Sequence, residues 1–147
     1  MTPELEAALR SAAAAEPFAV SLGMAVKELG DGFAAVEMGY RPERMANLFG
    51  RAHGGAVFAL MDEAFELACQ TEGGVVVALN VSVTYVAGPD RDTLLRAEAR
   101  RIAATRKTAT FLIRVTDGEG RLIATSQALA YRTGKPLPFL DGGGPAG

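Results

Sequence analysis

The chain has 147 residues, a formal net charge of −2 and 49% hydrophobic residues, which suits one domain with a sizeable core. This balance argues against a general nucleic-acid surface, and no uninterrupted apolar run is long enough to span a bilayer. Cys69 is the single cysteine and His53 the single histidine, which excludes an intramolecular disulfide and leaves too few ligands for a His–Cys zinc site.

Pro3 to Ala15 is rich in Ala, Leu and Glu, all good helix formers, and Pro3, Glu4 and Glu6 suit a first turn. Pro17 ends this helix, and Phe18 to Leu22 adds a short turn. Met24 to Leu29 and Phe33 to Tyr40 read as two strands joined by the tight-turn signal Gly30-Asp31-Gly32. Arg41 to Ala52 has no clean period and reads as a loop carrying Asn47. From Ala52 to Gln70 two glycines lead into a helix without a breaker. At about 100° per residue, Ala56, Val57, Phe58, Leu60, Met61, Ala64, Phe65, Leu67 and Ala68 fill one broad apolar arc. Glu63, Glu66 and Gln70 lie opposite, and Asp62 stands where the arcs meet. So wide an arc needs more cover than one neighbouring helix provides, and a curved sheet supplies it. Asp62 is then either a carboxylate half inside an apolar wall, where its pKa is tunable, or an ordinary solvated acid at a face boundary.

Gly73-Gly74 stops the helix, and the period changes to two. Val75, Val77, Leu79, Val81, Val83 and Tyr85 alternate with small or polar residues and predict a long strand with one apolar face. Ala87-Gly88-Pro89-Asp90 breaks it. Thr93 to Ile102 is the next strand, with Leu95, Ala97 and Ala99 on one side. After a connection at Ala103 to Lys107, Thr108 to Thr116 points Ala109, Phe111, Ile113 and Val115 inward. Asp117-Gly118-Glu119-Gly120 is a hairpin turn, and Arg121 to Arg132 the last strand. Short turns after Gly74 imply antiparallel neighbours. The predicted class is α+β, an antiparallel sheet wrapped around one long central helix. Residues 1–134 form a single domain with an N-terminal helix, and 135–147, rich in Pro and Gly, a flexible tail.

The first amide hydrogens of a helix have no partner within it, and the dipole makes that end positive. At Gly54 and Gly55 these amides either receive an oxyanion or polarised carbonyl, or the glycines simply let the loop turn into the helix. Asp62 lies eight residues beyond Gly54, about 12 Å along the axis at a rise of about 1.5 Å per residue. One chain therefore cannot bring both to one carbonyl. If two copies pack with antiparallel long helices, Asp62 of one approaches Gly54 of the other, and a twofold dimer makes two composite sites.

Asn47-Leu48-Phe49-Gly50-Arg51-Ala52-His53-Gly54-Gly55, followed by Phe58, Leu60 and Asp62, resembles the hotdog-fold acyl-CoA thioesterases, most of all the phenylacetic-acid-degradation (phenylacetyl-CoA thioesterase) branch. The likeness continues through Asp62-Glu63-Ala64-Phe65, Ala68-Cys69, Val83-Thr84-Tyr85 and the later strands to Tyr131. The resemblance implies a hotdog fold, dimers paired into homotetramers, and active sites at the dimer interface. It assigns catalytic roles to Gly54, whose amide polarises the thioester carbonyl, and to Asp62 of the neighbouring subunit, which attacks or activates a water. Asn47 would hold the carbonyl or that water, and His53 would position the loop and contact the substrate. Read from the residues alone, Asn47 is equally a loop turn residue and His53 a structural hydrogen-bonder. A thiolate leaves readily, so no metal and no cofactor beyond the substrate's own coenzyme A is expected.

For substrate binding, Arg106, Lys107 and Thr108 offer cations and a hydroxyl suited to the phosphates of CoA. Gly55, Phe58, Phe49, Leu48 and Tyr85 either line the acyl pocket or belong to core and interface. Two departures from the family pattern stand out: Glu66, one turn after Asp62, where related enzymes carry a small or hydroxyl-bearing residue, and Ala78, where some relatives carry a serine. The expected activity is hydrolysis of aryl-acetyl-CoA or medium-chain acyl-CoA to free acid and CoA. The rivals are a non-catalytic acyl-CoA-binding hotdog module and a hotdog hydratase or dehydratase. No charged-then-apolar leader opens the chain, so a cytoplasmic protein without nucleic-acid or membrane partners is expected.

Overall fold

The computed structural model describes residues 1–140. The elements in chain order are α1 (Pro3–Ala15), α2 (Pro17–Leu22), β1 (Ala25–Gly30), β2 (Phe33–Tyr40), α3 (Pro42–Met45) and α4 (Gly54–Gln70), then β3 (Gly74–Tyr85), β4 (Thr93–Ala104), β5 (Thr108–Thr116) and β6 (Leu122–Pro136). Thr2 caps α1 by accepting from the Leu5 amide at 3.2 Å, and Pro3 fills the first turn, where its missing N–H costs nothing. Glu16 is extended, with φ −70° and ψ 117°, and turns the chain from α1 into α2. Gly73, at φ +82°, closes the chain after α4, a left-handed conformation that glycine adopts without strain.

All six strands form one antiparallel sheet in the order β1-β2-β4-β5-β6-β3. The sheet curls around α4. Leu60, Met61, Ala64, Phe65 and Ala68 of the helix are buried against Leu95, Ala97 and Ala99 of β4 and Phe111, Ile113 and Val115 of β5. The Phe65 and Phe111 rings meet edge to face at 5.2 Å and 72°. The alanines on the sheet let the helix approach closely, and each large side chain buried here contributes about 1.5–3 kcal/mol. This is the architecture expected from the apolar arc, and the inward sets of β4 and β5 are the expected ones. Among the described residues, no helix is long and apolar enough to cross a membrane.

Four expectations need correction. The predicted apolar face of β3 does not hold along its length. A register shift between Ala78 and Asn80 reverses the strand's faces, as a bulge does when it adds one residue to a two-residue period. Val76 before the shift and Val81 and Val83 after it therefore pack on the core, while Val77 and Leu79 are exposed; Tyr85, on the face of Val81 and Val83, is exposed at the strand's end. Next, β3 does not pair with its successor β4. It crosses to β6 and forms an outer edge of the sheet. Glu63, expected opposite the apolar arc, is only 5% exposed, because the α1–α2 corner covers that face of α4. Finally, residues 135–137, expected to open the tail, belong to the fold. β6 runs through Lys135 to Pro136, and Leu137 is buried with Leu5 and Leu9 of α1. Residues 141–147 of the expected tail lie outside the described residues.

Candidate active site

The loop before α4 delivers the helix start. Pro42 begins the short turn α3, and Ala46 pairs with Ala52 across the loop. Within it the Asn47 side chain organises the backbone: its Oδ1 accepts from the Phe49 amide at 2.9 Å and from the Arg51 amide at 3.1 Å. That is the turn role, and it leaves the amide nitrogen of the same side chain outside these bonds. The segment after β3 clamps the loop from outside. The Ala52 amide donates to the Pro89 carbonyl at 2.9 Å, and the Arg51 guanidinium donates to the Gly88 carbonyl at 3.0 Å.

His53 is the N-cap of α4. Its Nδ1 accepts from the Gly55 amide at 2.9 Å, which places its ring proton on Nε2 and occupies one of the helix's free donors. The structural reading of His53 therefore describes its contact within the chain. The Gly54 amide, by contrast, donates to nothing among the described residues. A Cβ at Gly54 would stand 3.2 Å from Tyr85 Cζ, a tight contact that the half-exposed ring would meet by shifting a few tenths of an ångström. The Tyr85 hydroxyl donates to the Gly54 carbonyl at 3.1 Å. Asn47, Phe49 and His53 gather with Ala46 and Leu48 around one depression, in which Leu48 and Phe49 are 99% and 87% exposed. In the single chain these two side chains enclose no acyl pocket, and Phe58 is half-buried.

Asp62 lies elsewhere. It shares a cleft of about 220 Å³ with Phe65, Glu66, Cys69, Gln70 and residues 76–78 of β3. The cleft is shaped by Gln70, whose side chain bonds both ways to Val76, Nε2 donating to its carbonyl at 2.9 Å and Oε1 accepting from its amide at 3.0 Å. Asp62 is exposed in the single chain, but its position against this wall raises its carboxyl above the ordinary 3.8, with burial as the cause. Glu66 does line the same cleft. Burial raises its carboxyl too, and the Glu16 and Asp62 charges add to that. Burial likewise pushes the Cys69 thiol well above its ordinary range, so it is inert at neutral pH. The Gly54 amide and the Asp62 carboxyl thus belong to separate surfaces of one chain, as their spacing along α4 requires.

A third group is basic. Arg106 and Lys107 line a cleft with Arg132, Glu72 and the start of β3. Lys107 lies over the Tyr131 ring at 5.5 Å, and Arg132 pairs with Glu72. Thr108 is engaged within the β4–β5 connection, its hydroxyl 3.0 Å from that of Thr105. The sequence reading singles out neither Arg132 nor the role of Gln70. Gln70 carries a signal, a long amide at the helix end, but Arg132 reaches this cleft only through the β5–β6 pairing.

A long helix that opens on the free Gly54 amide, wrapped by one antiparallel sheet, defines the class: this is a hotdog fold. The thioesterase superfamily pattern matches residues 49–124, which include part of the loop, α4 and most of the sheet, and the chain belongs to that family. It is 35% identical over 113 residues to a protein of Archaeoglobus fulgidus that carries a provisional esterase name, covering 77% of this chain and 73% of that one. It is 27% identical over 116 residues to the acyl-coenzyme A thioesterase PaaI of Escherichia coli, covering 79% and 82%. A mutant form of the phenylacetic acid degradation protein PaaI from Thermus thermophilus superposes with a TM-score of 0.75 at 35% identity, covering 80% of this chain and 99% of that one.

Proposed function

We propose that this chain hydrolyses acyl-CoA thioesters, with aryl-acetyl or medium-chain acyl groups as its substrates, in a homodimer whose two active sites are each built from both chains. The observation that carries the reading is the Gly54 amide, which is left without a partner at the positive end of α4. A thioester carbonyl placed there is polarised by that N–H and the helix dipole. Asp62 of the second chain either attacks the carbonyl carbon or takes a proton from the water that does. The tetrahedral intermediate holds its negative oxygen at the Gly54 amide and collapses with loss of the CoA thiolate, a good leaving group. After attack by water this leaves the free acid, the proton on Asp62 passing to the thiolate or solvent; after attack by Asp62 it leaves an acyl anhydride that water then hydrolyses. Asn47 keeps its loop in place through Oδ1 and offers Nδ2 to the carbonyl or the water. His53, through its bond to Gly55, holds the first turn so that the Gly54 N–H points outward.

Exposure in the single chain supports a second copy. Leu48, Phe49, Val77 and Leu79 are large apolar side chains open to solvent, and β3 is an outer edge of the sheet, which a partner would cover. Pairing of such dimers into a homotetramer, and a cytoplasmic setting, belong to the same reading. Arg106 and Lys107, with Arg132 beside them, would meet the CoA phosphates. The acyl-CoA thioesterase activity named for the E. coli relative agrees with this reading. Thiol release from a panel of acetyl-, hexanoyl-, decanoyl- and phenylacetyl-CoA tests activity and acyl preference together. Turnover is expected on phenylacetyl or medium-chain members, and an inert protein across the panel would refute the proposal.

A further inference from the structure

We propose that Glu16, Glu63 and Glu66 form a binding site for a hard divalent cation of the size of Ca²⁺, which ties the α1–α2 corner to the central helix. Each carboxylate offers one oxygen, and the three oxygens lie within 4.8 Å of one another. Two ligands of one ion stand no further apart than twice the metal–oxygen distance. That limit is about 4.6–5.2 Å for Ca²⁺ and about 4.0–4.2 Å for Mg²⁺. Three ligands spaced evenly about one ion stand about 1.7 bond lengths apart, roughly 4.0–4.5 Å for Ca²⁺ and 3.5–3.6 Å for Mg²⁺, so the carboxylates need close in least around the larger ion. An all-carboxylate oxygen set selects hard cations over zinc or copper.

Glu63 is the second, independent observation. It is only 5% exposed, its oxygen is directed at the other two, and no hydrogen bond or ion pair among the described residues reaches it. Among the other glutamates, Glu4 and Glu43 are exposed and the remaining six are paired. Glu6, Glu28, Glu37, Glu72, Glu98 and Glu119 each meet an arginine or lysine. Arg10 lines a groove with Glu63, but its guanidinium is engaged by Glu6 and the Val26 carbonyl. Ionising a carboxylate as enclosed as Glu63 is costly without a compensating charge, and a bound cation supplies that charge to Glu63 and its two neighbours together. An entry path exists: Glu16 and Glu66 open onto a groove of about 440 Å³ between α1, α4 and Phe139.

The two sides of the site come from different parts of the chain. Glu16 sits where α1 stops and α2 begins, and Glu63 and Glu66 stand on consecutive turns of α4. An ion here fastens the N-terminal helices to the core, although Glu66 also lines the cleft of Asp62; its binding is read by calorimetry and unfolding, which need no turnover.

The test uses the full chain stripped with EDTA, titrated with CaCl₂ by calorimetry and followed by thermal unfolding. One Ca²⁺ per chain is expected, with Tm rising saturably, by about 5–10 °C at a concentration 100-fold above Kd. Glu16→Gln and Glu66→Gln, at positions that are not fully buried, should fold and should weaken Ca²⁺ binding at least tenfold. Absence of heat and of a Tm shift up to about 10 mM Ca²⁺, beyond the weakest class of protein calcium sites, would overturn the proposal. So would Ca²⁺ binding that both variants retain, or a preference for Mg²⁺ over Ca²⁺.

Discussion

Tyr85 and Gly54, thirty-one residues apart, meet at the start of the central helix: the tyrosine hydroxyl donates to the glycine carbonyl at 3.1 Å, and its ring lies 3.2 Å from where a Cβ would stand. The end of β3 thus braces the turn that presents the free Gly54 amide. Gly54→Ala forces the ring aside and sets a methyl group beside that amide. The N–H remains, but the methyl keeps the thioester carbonyl from seating on it, so we expect kcat to fall by up to about 10²-fold, the scale of one oxyanion contact, with an unchanged circular-dichroism spectrum. Tyr85→Phe keeps the ring and loses one partly exposed hydrogen bond, so it should cost only about 0.5–1.5 kcal/mol in denaturant unfolding.

Asp62→Asn retains the shape of the cleft and removes the charge. Turnover should drop about 10²–10⁴-fold with KM for acyl-CoA little changed. In the wild type the ionised carboxylate is the active form and burial raises its pKa above 3.8. The acid limb of the kcat/KM profile should therefore bend at a pH above that value, with rate rising as pH rises. The same limb should be missing from the residual activity of the variant.

The composite site makes a mixing prediction. Gly54→Ala and Asp62→Asn are each strongly impaired alone, but a heterodimer of the two contains one site with both native residues. Refolding an equal mixture should restore about a quarter of wild-type activity, since half the dimers are mixed and each has one of two sites intact. No recovery above the sum of the two parents would contradict sharing of the site between chains.

Asn47 combines a loop role with a catalytic proposal, and two variants separate them. Asn47→Asp still accepts from the Phe49 and Arg51 amides but offers no N–H. Asn47→Ala loses both functions. We expect Asp to hold thermal stability near wild type while losing kcat, and Ala to lose both, by about 1–3 kcal/mol in stability.

Glu63 predicts a pH dependence of stability. Its carboxyl is pushed from 4.5 up to about 8, by burial first and then by the Glu16, Glu66 and Asp62 charges. Between those values the folded chain holds a proton that the unfolded chain has released, so stability falls as pH rises, by about 1.4 kcal/mol per pH unit, and levels off above pH 8. With divalent cations chelated, Glu63→Gln should be more stable than the wild type at pH 8, and the gap should close towards pH 4.5. A constant gap in urea unfolding from pH 5 to pH 8 would show that Glu63 does not titrate in this window.

Local pattern accounts for much of this protein. The 3.6-residue period of Ala56 to Ala68 specified a helix needing cover on a broad face, and the two-residue period placed Leu95, Ala97, Ala99, Phe111, Ile113 and Val115 inward, where they are buried. The spacing of Gly54 and Asp62 alone required two chains for a shared site, because helical rise is a constant. The tertiary structure decided what depends on distant partners. A bulge near Leu79 reversed half of β3, pairing with β6 made that strand an edge, and the α1–α2 corner buried Glu63 beside Glu16. Periodicity records which face of an element is apolar, but not which remote segment comes to rest on the other face. A carboxylate written on a polar stripe therefore became the most enclosed acid of the central helix.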